Sequence, residues 1–201
     1  MKRLKISMVF LSIFYATGLF SISGDDAVQK FQSRMRYLAK LTGVISWTAY
    51  GGQTYIGSFK YLAPGKIYVK FTSPFEKILV SNGRTLWIYT PGNKLCGIHE
   101  LNKGTNSGLI ATIESGYNSV ATSGDTGYTI KLKSDKKQYR EIILSVDSTF
   151  MLKGAIFKRE DNRMLSFTIS ETSTNAEVNE NLFNFKVPKG VQIVKNPVNI
   201  R

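Results

Sequence analysis

The chain has 201 residues, 12% of them aromatic, which suits one domain with a sizeable core. Its formal net charge is +13 at pH 7, a balance typical of proteins that meet nucleic acid, an anionic membrane surface or an acidic partner. One cysteine, Cys96, excludes an intramolecular disulfide, and His99 is the single histidine, so a zinc site would depend almost wholly on carboxylates. We therefore expect no metal and no cofactor.

The N-terminal segment has the pattern of an export signal. Three basic residues precede a mostly apolar run that is short for a transmembrane helix of about 20 residues. Because Ser21 and Ser23 place small side chains at positions −3 and −1, we predict a signal peptide over residues 1–23, cleaved near Ser23 or Gly24. An uncleaved N-terminal anchor is the alternative. The exported domain is then residues 24–201, and export argues against nucleic acid as a partner.

The first predicted element of this domain is an amphipathic helix. Asp25 and Asp26 favour a helix start, since acidic side chains interact well with the N-terminal end of the helix dipole. Apolar residues then recur at helical spacing at Val28, Phe31, Met35 and Leu38. The pattern predicts a helix of about four turns whose apolar stripe packs on a sheet.

Alternating apolar and polar residues predict strands from Val44 onwards, most densely over residues 57–91. Turn signals divide this stretch at Pro64-Gly65, Ser73-Pro74 and Asn82-Gly83, and the last is the strongest hairpin signal in the chain. The alternation places one set of residues on a common face of the first two runs: Tyr55, Gly57, Phe59, Tyr61, Ile67, Val69 and Phe71.

Further strand-like runs follow residue 124, while helical spacing predicts a short helix over residues 107–118. Strands at this density, with turns between them, indicate one large antiparallel sheet curled towards a barrel.

Three segments carry a resemblance to the outer-membrane lipoprotein carrier protein (LolA) family. The segment GSFKYLAPGKIYVKF is similar to that family's first hairpin, and ILVSNGRTLWIYTP is similar to its I-L-V-S-D-G-K-T-L-W-x-Y-x-P sequence. The segment FNFKVPKGV, near the end of the chain, resembles the family's closing F-x-F-x-x-P-x-G-V. The resemblance implies a mainly β (α+β) fold, in which a single curled antiparallel sheet forms an incomplete β-barrel with a helical lid.

In that family the concave face of the sheet is apolar and receives the acyl chains of a lipoprotein. The alternation and the resemblance together predict the residues that line such a cavity here: Phe59, Tyr61, Ile67, Val69, Phe71 and Leu79. The lid side is expected to carry Leu109, Ile110 and Ile113. Ordinary core is the alternative for each residue, because a filled core and a ligand cavity need the same alternation.

One position departs from the family's pattern. The family has arginine immediately before the proline of the first hairpin, where it helps to hold the lid closed, whereas Ala63 precedes Pro64 here. Alanine has no side-chain hydrogen-bond donor, so we expect the lid to be held or gated in a different way.

The remaining polar residues favour surface roles. His99 is expected at the surface or on an edge strand, and the sequence has no nucleophile elbow or phosphate-binding loop, so we expect no enzyme. Two basic clusters are interpreted as solvated surface, with docking to an acidic partner or to anionic lipid as the alternative: Lys131, Lys133, Lys136, Lys137 and Arg140, and Lys153, Lys158, Arg159 and Arg163.

The resemblance implies a monomeric periplasmic carrier that moves lipoproteins from the inner to the outer membrane. Its expected partners are acylated lipoproteins, a lipoprotein-releasing ABC transporter of the inner membrane and, further, an outer-membrane receptor lipoprotein. The alternatives are a related binder of free lipid or glycolipid, an envelope sensor, a lipid-modifying hydrolase with His99 facing the cavity, and a basic scaffold at anionic membranes.

Overall fold

The computed structural model describes residues 22–101 and 116–195. The predicted signal peptide up to residue 21 and the predicted lid residues Leu109, Ile110 and Ile113 lie outside these ranges. Within the described ranges, no helix has both the length and the apolar character needed to span a membrane.

One α-helix, twelve strands and two short 3₁₀ turns make up the regular structure of the described residues. Helix α1 spans Gly24–Arg36. The strands are β1 Lys40–Thr48, β2 Thr54–Leu62, β3 Lys66–Ser73, β4 Lys77–Asn82, β5 Thr85–Thr90, β6 Leu95–Glu100, β7 Asn118–Gly124, β8 Gly127–Lys133, β9 Tyr139–Asp147, β10 Leu152–Arg159, β11 Met164–Ser173 and β12 Gln192–Lys195.

All twelve strands form one sheet, in the order β12-β6-β5-β4-β3-β2-β1-β11-β10-β9-β8-β7. Strands β7 and β12 are its two ends and are not paired with each other, so the curled sheet is not closed. Neighbouring strands are antiparallel, except that β12 runs parallel to β6. The predicted fold, a large curled antiparallel sheet with helical cover, is thereby confirmed in its main feature, and β12 adds one parallel edge.

Helix α1 covers one end of the sheet. Ser23 is its N-cap, with the hydroxyl oxygen accepting a hydrogen bond from the Asp26 N–H at 3.1 Å. Ala27 and Phe31 are fully buried in the core, and the helix packs on β7 and β8. The apolar stripe therefore buries against the sheet as the sequence predicts, although the helix ends at Arg36.

The two faces of the sheet have different covers. We call the face that packs with α1 the inner face; it carries the main core, including Ile45, Ile130 and Leu144. The opposite, outer face is covered by the chain near its end: a 3₁₀ turn at Glu180–Phe183 lies against β3 and β4, and Phe183 is buried. This part of the chain therefore covers β3 and β4 on the outer face.

The outer cover contains the closing motif noted in the sequence. The Phe185 ring lies 6.3 Å from the Trp87 ring and 5.8 Å from the Tyr89 ring. Val80 and Cys96 are fully buried, and register places them on the same face as Trp87 and Tyr89. Burial raises the pKa of the Cys96 thiol, which makes this cysteine a packing residue rather than a reactive one.

One boundary prediction is wrong. The helix predicted over residues 107–118 does not extend to its predicted end, because Tyr117 is not helical and Asn118 begins β7, where it pairs with Lys133. Sheet pairing determines the conformation of these residues.

Candidate ligand-binding face of the sheet

The six predicted cavity residues all lie on the inner face. A rung is here the set of directly paired residues across neighbouring strands. Phe59, Val69 and Leu79 belong to one rung, the Val69 rung, which also contains Ile88 of β5. Tyr61 and Ile67 belong to the next rung, whose members are Leu41, Tyr61, Ile67, Ser81, Leu86 and His99; we call it the His99 rung.

Burial divides these residues into two groups. Phe59, Val69 and Phe71 are buried and belong to the main core cluster. Tyr61 and Leu79 are partly buried at its margin, and Ile67 is 37% exposed. The inner face is therefore packed around Phe71 and open to solvent at Ile67, which places its accessible apolar surface at Ile67 and the partly buried side chains beside it.

Aromatic side chains extend the inner face at the far end of β2 and β3. The Tyr55 ring lies 5.6 Å from the Phe71 ring and 5.4 Å from the Phe75 ring. The Lys77 ammonium sits 4.3 Å from the centre of the Tyr55 ring, in the geometry of a cation–π contact. This end of the face therefore combines exposed aromatic surface with one positive charge.

Hydrogen bonds join the β2–β3 hairpin at Ala63 to the end of strand β4. The Ser81 hydroxyl donates to the Gly65 carbonyl at 3.4 Å and accepts from the Gly83 N–H at 3.1 Å. Burial raises the pKa of Tyr61, and a hydrogen bond from the Gly65 backbone partly offsets that rise. Backbone and hydroxyl groups thus hold this hairpin, where the resembling family has an arginine.

The structure corrects the expectation for His99. Strand β6 is flanked by β5 and, over residues 95–98, by β12, so it is not an edge strand. His99 directly follows the last residue paired with β12, and register puts it on the inner face opposite Leu86. Its Nε2 is the one buried side-chain nitrogen or oxygen of the described residues that lacks a hydrogen-bond partner. The short strand β12, which the sequence analysis did not predict, is what makes β6 an interior strand.

His99 alone does not form a catalytic site. Ser81 shares its rung but lies two strands away, about 10 Å at the usual strand spacing, beyond the reach of a nucleophile–base hydrogen bond. The Ser81 hydroxyl is also engaged with Gly65. Across the described residues, no cluster of three or more histidines, cysteines or carboxylates could hold a metal ion.

The basic clusters are largely paired with acids on the surface. Arg140 lies 2.7 Å from Glu160, and Arg163 lies 2.7 Å from Asp161. Lys131 and Lys133 share Glu141 at 3.8 and 4.0 Å. These contacts agree with a solvated, partly compensated surface, on which exposed ion pairs contribute little to stability.

Comparison with known proteins shows the family of this chain. The family model of the outer membrane lipoprotein carrier protein LolA matches residues 49–186, which include every strand from β2 to β11. The chain belongs to the LolA family. The match covers the inner-face residues of β2 to β6 and the closing phenylalanines, so the resemblance seen in the sequence is confirmed.

Individual relatives agree with this assignment over nearly the whole chain. An outer-membrane lipoprotein carrier protein of Serratia proteamaculans is 26% identical, with 96% of this chain and 98% of the relative covered. The protein of the same name from Glaesserella parasuis is 24% identical over 94% of this chain and 95% of its own length. A solved structure of an uncharacterised conserved protein from Thermus thermophilus superposes with a TM-score of 0.57 at 11% identity, covering 85% of this chain and 98% of its own, which shows a shared fold.

Proposed function

We propose that the protein is a periplasmic carrier that receives the acyl chains of lipoproteins on the inner face of its sheet and moves them from the inner to the outer membrane. The observation that carries this proposal is the partly uncovered apolar surface beside a packed core: Ile67 is exposed on the same face as buried Val69 and Phe71. Family membership and the names of the relatives support lipoprotein as the cargo.

The energetics favour such a role. Removing a CH₂ group from water is worth about 0.8 kcal/mol, so a partly covered acyl chain already contributes several kcal/mol of binding. A single acyl chain binds a membrane marginally but two chains anchor stably, so a carrier has to cover apolar surface of each chain to compete with the bilayer. An apolar face of this kind therefore competes with the bilayer for an acyl chain while still allowing release.

We also propose which residues contact the acyl chains, where the carrier domain begins and which proteins exchange cargo with it. The acyl chains lie against Phe59, Tyr61, Ile67, Val69, Phe71 and Leu79, with Leu109, Ile110 and Ile113 on the lid side. Residues 1–23 are a cleaved signal peptide and residues 24–201 are the carrier domain. A lipoprotein-releasing ABC transporter hands over the cargo, and an outer-membrane receptor lipoprotein accepts it from a monomeric carrier that performs no catalysis itself.

Mass spectrometry of material bound to the protein purified from the periplasm tests the cargo. Intact acylated lipoprotein is the expected finding, and depletion of the protein is expected to leave lipoproteins at the inner membrane. Free lipid or glycolipid as the sole bound material would instead assign the related lipid-binding role. An empty protein that binds anionic membranes in a salt-sensitive way would contradict the proposal.

A substitution at Ile67 tests the face itself. Ile67→Glu is expected to weaken uptake of a fluorescent acyl ligand about tenfold or more, because it places a charge on the apolar surface that the ligand covers. The protein should remain folded, since this side chain is 37% exposed.

Ile156→Glu is the matched control. Ile156 is 40% exposed but pairs with Ser166 and Ile143 on the outer face. The Ile156→Glu variant should therefore take up the fluorescent acyl ligand as well as the wild-type protein does. Equal losses in the two variants would remove the inner face as the binding site.

A further inference from the structure

We propose that the His99 imidazole is a polar anchor of the carrier's apolar face, whose Nε2–H donates a hydrogen bond to the ester carbonyl at the head of a bound acyl chain. The inference rests on the proposed function, since it assigns a group of the same face to one part of the ligand. The ligand class it implies is an acyl ester, rather than any apolar molecule of suitable size.

The His99 Nε2 atom is buried and has no hydrogen-bond partner within the described ranges. A buried polar atom without a partner is unfavourable, and the great majority of such atoms in proteins are satisfied. Among the described residues, His99 Nε2 is the one buried side-chain nitrogen or oxygen in this state. A neutral imidazole with the proton on Nε2 is a donor that needs one acceptor, which a ligand on the inner face can supply.

The position of His99 along the strands suits the head of a bound acyl chain. His99 lies on the rung that follows the Val69 rung, about 7 Å further along the strands at two residues of strand rise. The Val69 rung offers Phe59, Val69, Leu79 and Ile88, all apolar. An acyl chain lying along Leu79 of β4 and Ile88 of β5 brings its carbonyl end to Leu86 and His99 on the next rung.

Among the described residues of this rung, no other polar side-chain atom is both buried and without a partner. The Ser81 hydroxyl donates to the Gly65 carbonyl and accepts from the Gly83 N–H. The Tyr61 hydroxyl lies on β2, four strands away from β6 and His99. His99 is therefore the group of this rung whose buried hydrogen-bonding atom is available to a ligand.

The chemistry of the rung selects an uncharged acceptor. Its other members, Leu41, Tyr61, Ile67, Ser81 and Leu86, carry no carboxylate, ammonium or guanidinium group. A headgroup phosphate placed there would lose its hydration without a compensating charge. An ester carbonyl needs one hydrogen bond, which the imidazole provides.

The experiment compares three probes that differ at the chain head. They are a synthetic peptide with a diacylglyceryl group on its cysteine, the dialkyl-ether analogue with the same chain lengths, and a short-chain diacyl phospholipid. Dissociation constants are measured for the wild-type protein, for His99→Leu, which removes the donor, and for His99→Gln, which keeps one. The ether arm removes only the carbonyls, and the phospholipid arm separates a free lipid from a lipoprotein as the source of the ester.

The expected result is a selective loss. His99→Leu should weaken binding of both ester probes about three- to tenfold, the range of one neutral hydrogen bond, and leave the ether probe unchanged. His99→Gln should recover part of the loss. Weaker binding of the peptide ester alone would assign the anchor to lipoproteins, and equal effects on both esters would assign it to acyl esters in general.

A second measurement does not depend on any variant. His99 is the single histidine of the chain, so ¹⁵N-histidine labelling gives one imidazole whose Nε2 resonance reports its hydrogen bonding directly. The resonance should shift when an ester probe binds to the wild-type protein and stay in place, or nearly so, with the ether probe.

Two failures can be told apart. If the wild-type protein binds all three probes equally and the imidazole resonance does not respond, the anchor is rejected while the carrier function stands. If the wild-type protein binds none of them, the carrier function fails and the anchor fails with it.

Discussion

Asp147 organises the turn between β9 and β10, where Phe150 adopts a left-handed φ of 61°. The Asp147 Oδ1 accepts hydrogen bonds from the Thr149 hydroxyl at 2.7 Å, the Thr149 N–H at 2.9 Å and the Met151 N–H at 3.0 Å. Burial alone would raise the pKa of this carboxyl, but these hydrogen bonds and Lys153 hold it below its ordinary value of 3.8. The ionised form is therefore the one that the folded chain stabilises.

The resulting pH dependence has a definite sign. Because the pKa is lower in the folded than in the unfolded state, the stabilisation is complete above pH 3.8 and is lost as the pH falls through the folded pKa. Asp147→Asn should lower the free energy of unfolding by about 1 kcal/mol at pH 7, the difference between charged and neutral hydrogen bonds. Urea unfolding of both proteins at several pH values checks this. If the difference between their free energies of unfolding does not become smaller in acid, the prediction is contradicted.

Gly57 shows a residue whose side chain is excluded by the backbone of its neighbour. A Cβ at this position would overlap the Lys70 carbonyl oxygen and the Phe71 Cα, neither of which can move without breaking the pairing of β2 with β3. We expect Gly57→Ala to lower the free energy of unfolding by about 2–3 kcal/mol.

Gly51 provides the control in the adjoining loop. A Cβ there meets no atom within 4 Å, so Gly51→Ala should change stability by about 0.5 kcal/mol or less. Thermal unfolding of both variants measures the contrast. Similar melting temperatures for the two would show that β3 moves away from β2 easily, and that the strand pairing is looser than the geometry indicates.

The individual residues of β2 and β3 were predictable because alternation assigns side chains to faces without knowledge of the pairing. Tyr61, Val69 and Phe71 lie on the face that the sequence predicts. His99 was not predictable in this way, because whether its strand lies at an edge depends on β12, a strand of four residues that comes nearly 100 residues later. No local pattern near His99 contains that information.

At the scale of elements, the start of α1 bears on the predicted cleavage of the signal peptide. Ser23 caps the helix, and Ile22 packs against the core, yet the small-residue pattern predicts cleavage near Ser23 or Gly24. Cleavage after Ser23 would remove the cap and place a new ammonium group at the positive end of the helix dipole.

The stability of two purified forms shows how much the Ser23 cap contributes. A chain beginning at Ile22 should be more stable than one beginning at Gly24 by about 1 kcal/mol or more, the usual contribution of an N-cap. Denaturant unfolding compares them, and the intact mass of the exported protein shows which form is made. Equal stabilities would mean that Asp25, which is hydrogen-bonded to the Ser119 hydroxyl, secures the helix without Ser23.

Sequence similarity identifies the closing motif but does not tell which surface its phenylalanines cover. The similarity marked Phe183 and Phe185 as characteristic, but their role emerges from the pairing of β4 with β5, which presents Val80 and Trp87 on the outer face. Phe183 and Phe185 cover that face. A motif identifies the residues to examine, while the surface they cover depends on strand pairs that are distant in the chain.

At the scale of the whole molecule, the number and density of strand signals were sufficient to predict one large curled sheet. The order of the strands was not, because β1 pairs with β11 across more than a hundred residues and alternation does not specify such partners. The openness of the inner face was likewise unpredictable: Val69 and Ile67 have the same pattern in the sequence, and only the assembled sheet separates the buried residue from the exposed one.

The unpaired end strands of the sheet, β7 and β12, determine how far the curvature of the sheet can change. A closed barrel has a circumference fixed by its strand number and stagger, so widening it breaks backbone hydrogen bonds. Here the two ends are not bonded to each other, and the girth can grow or shrink through small changes of curl and twist that keep every strand pair intact. Under the proposed carrier function, such a sheet would adjust its width to acyl groups of different number and length.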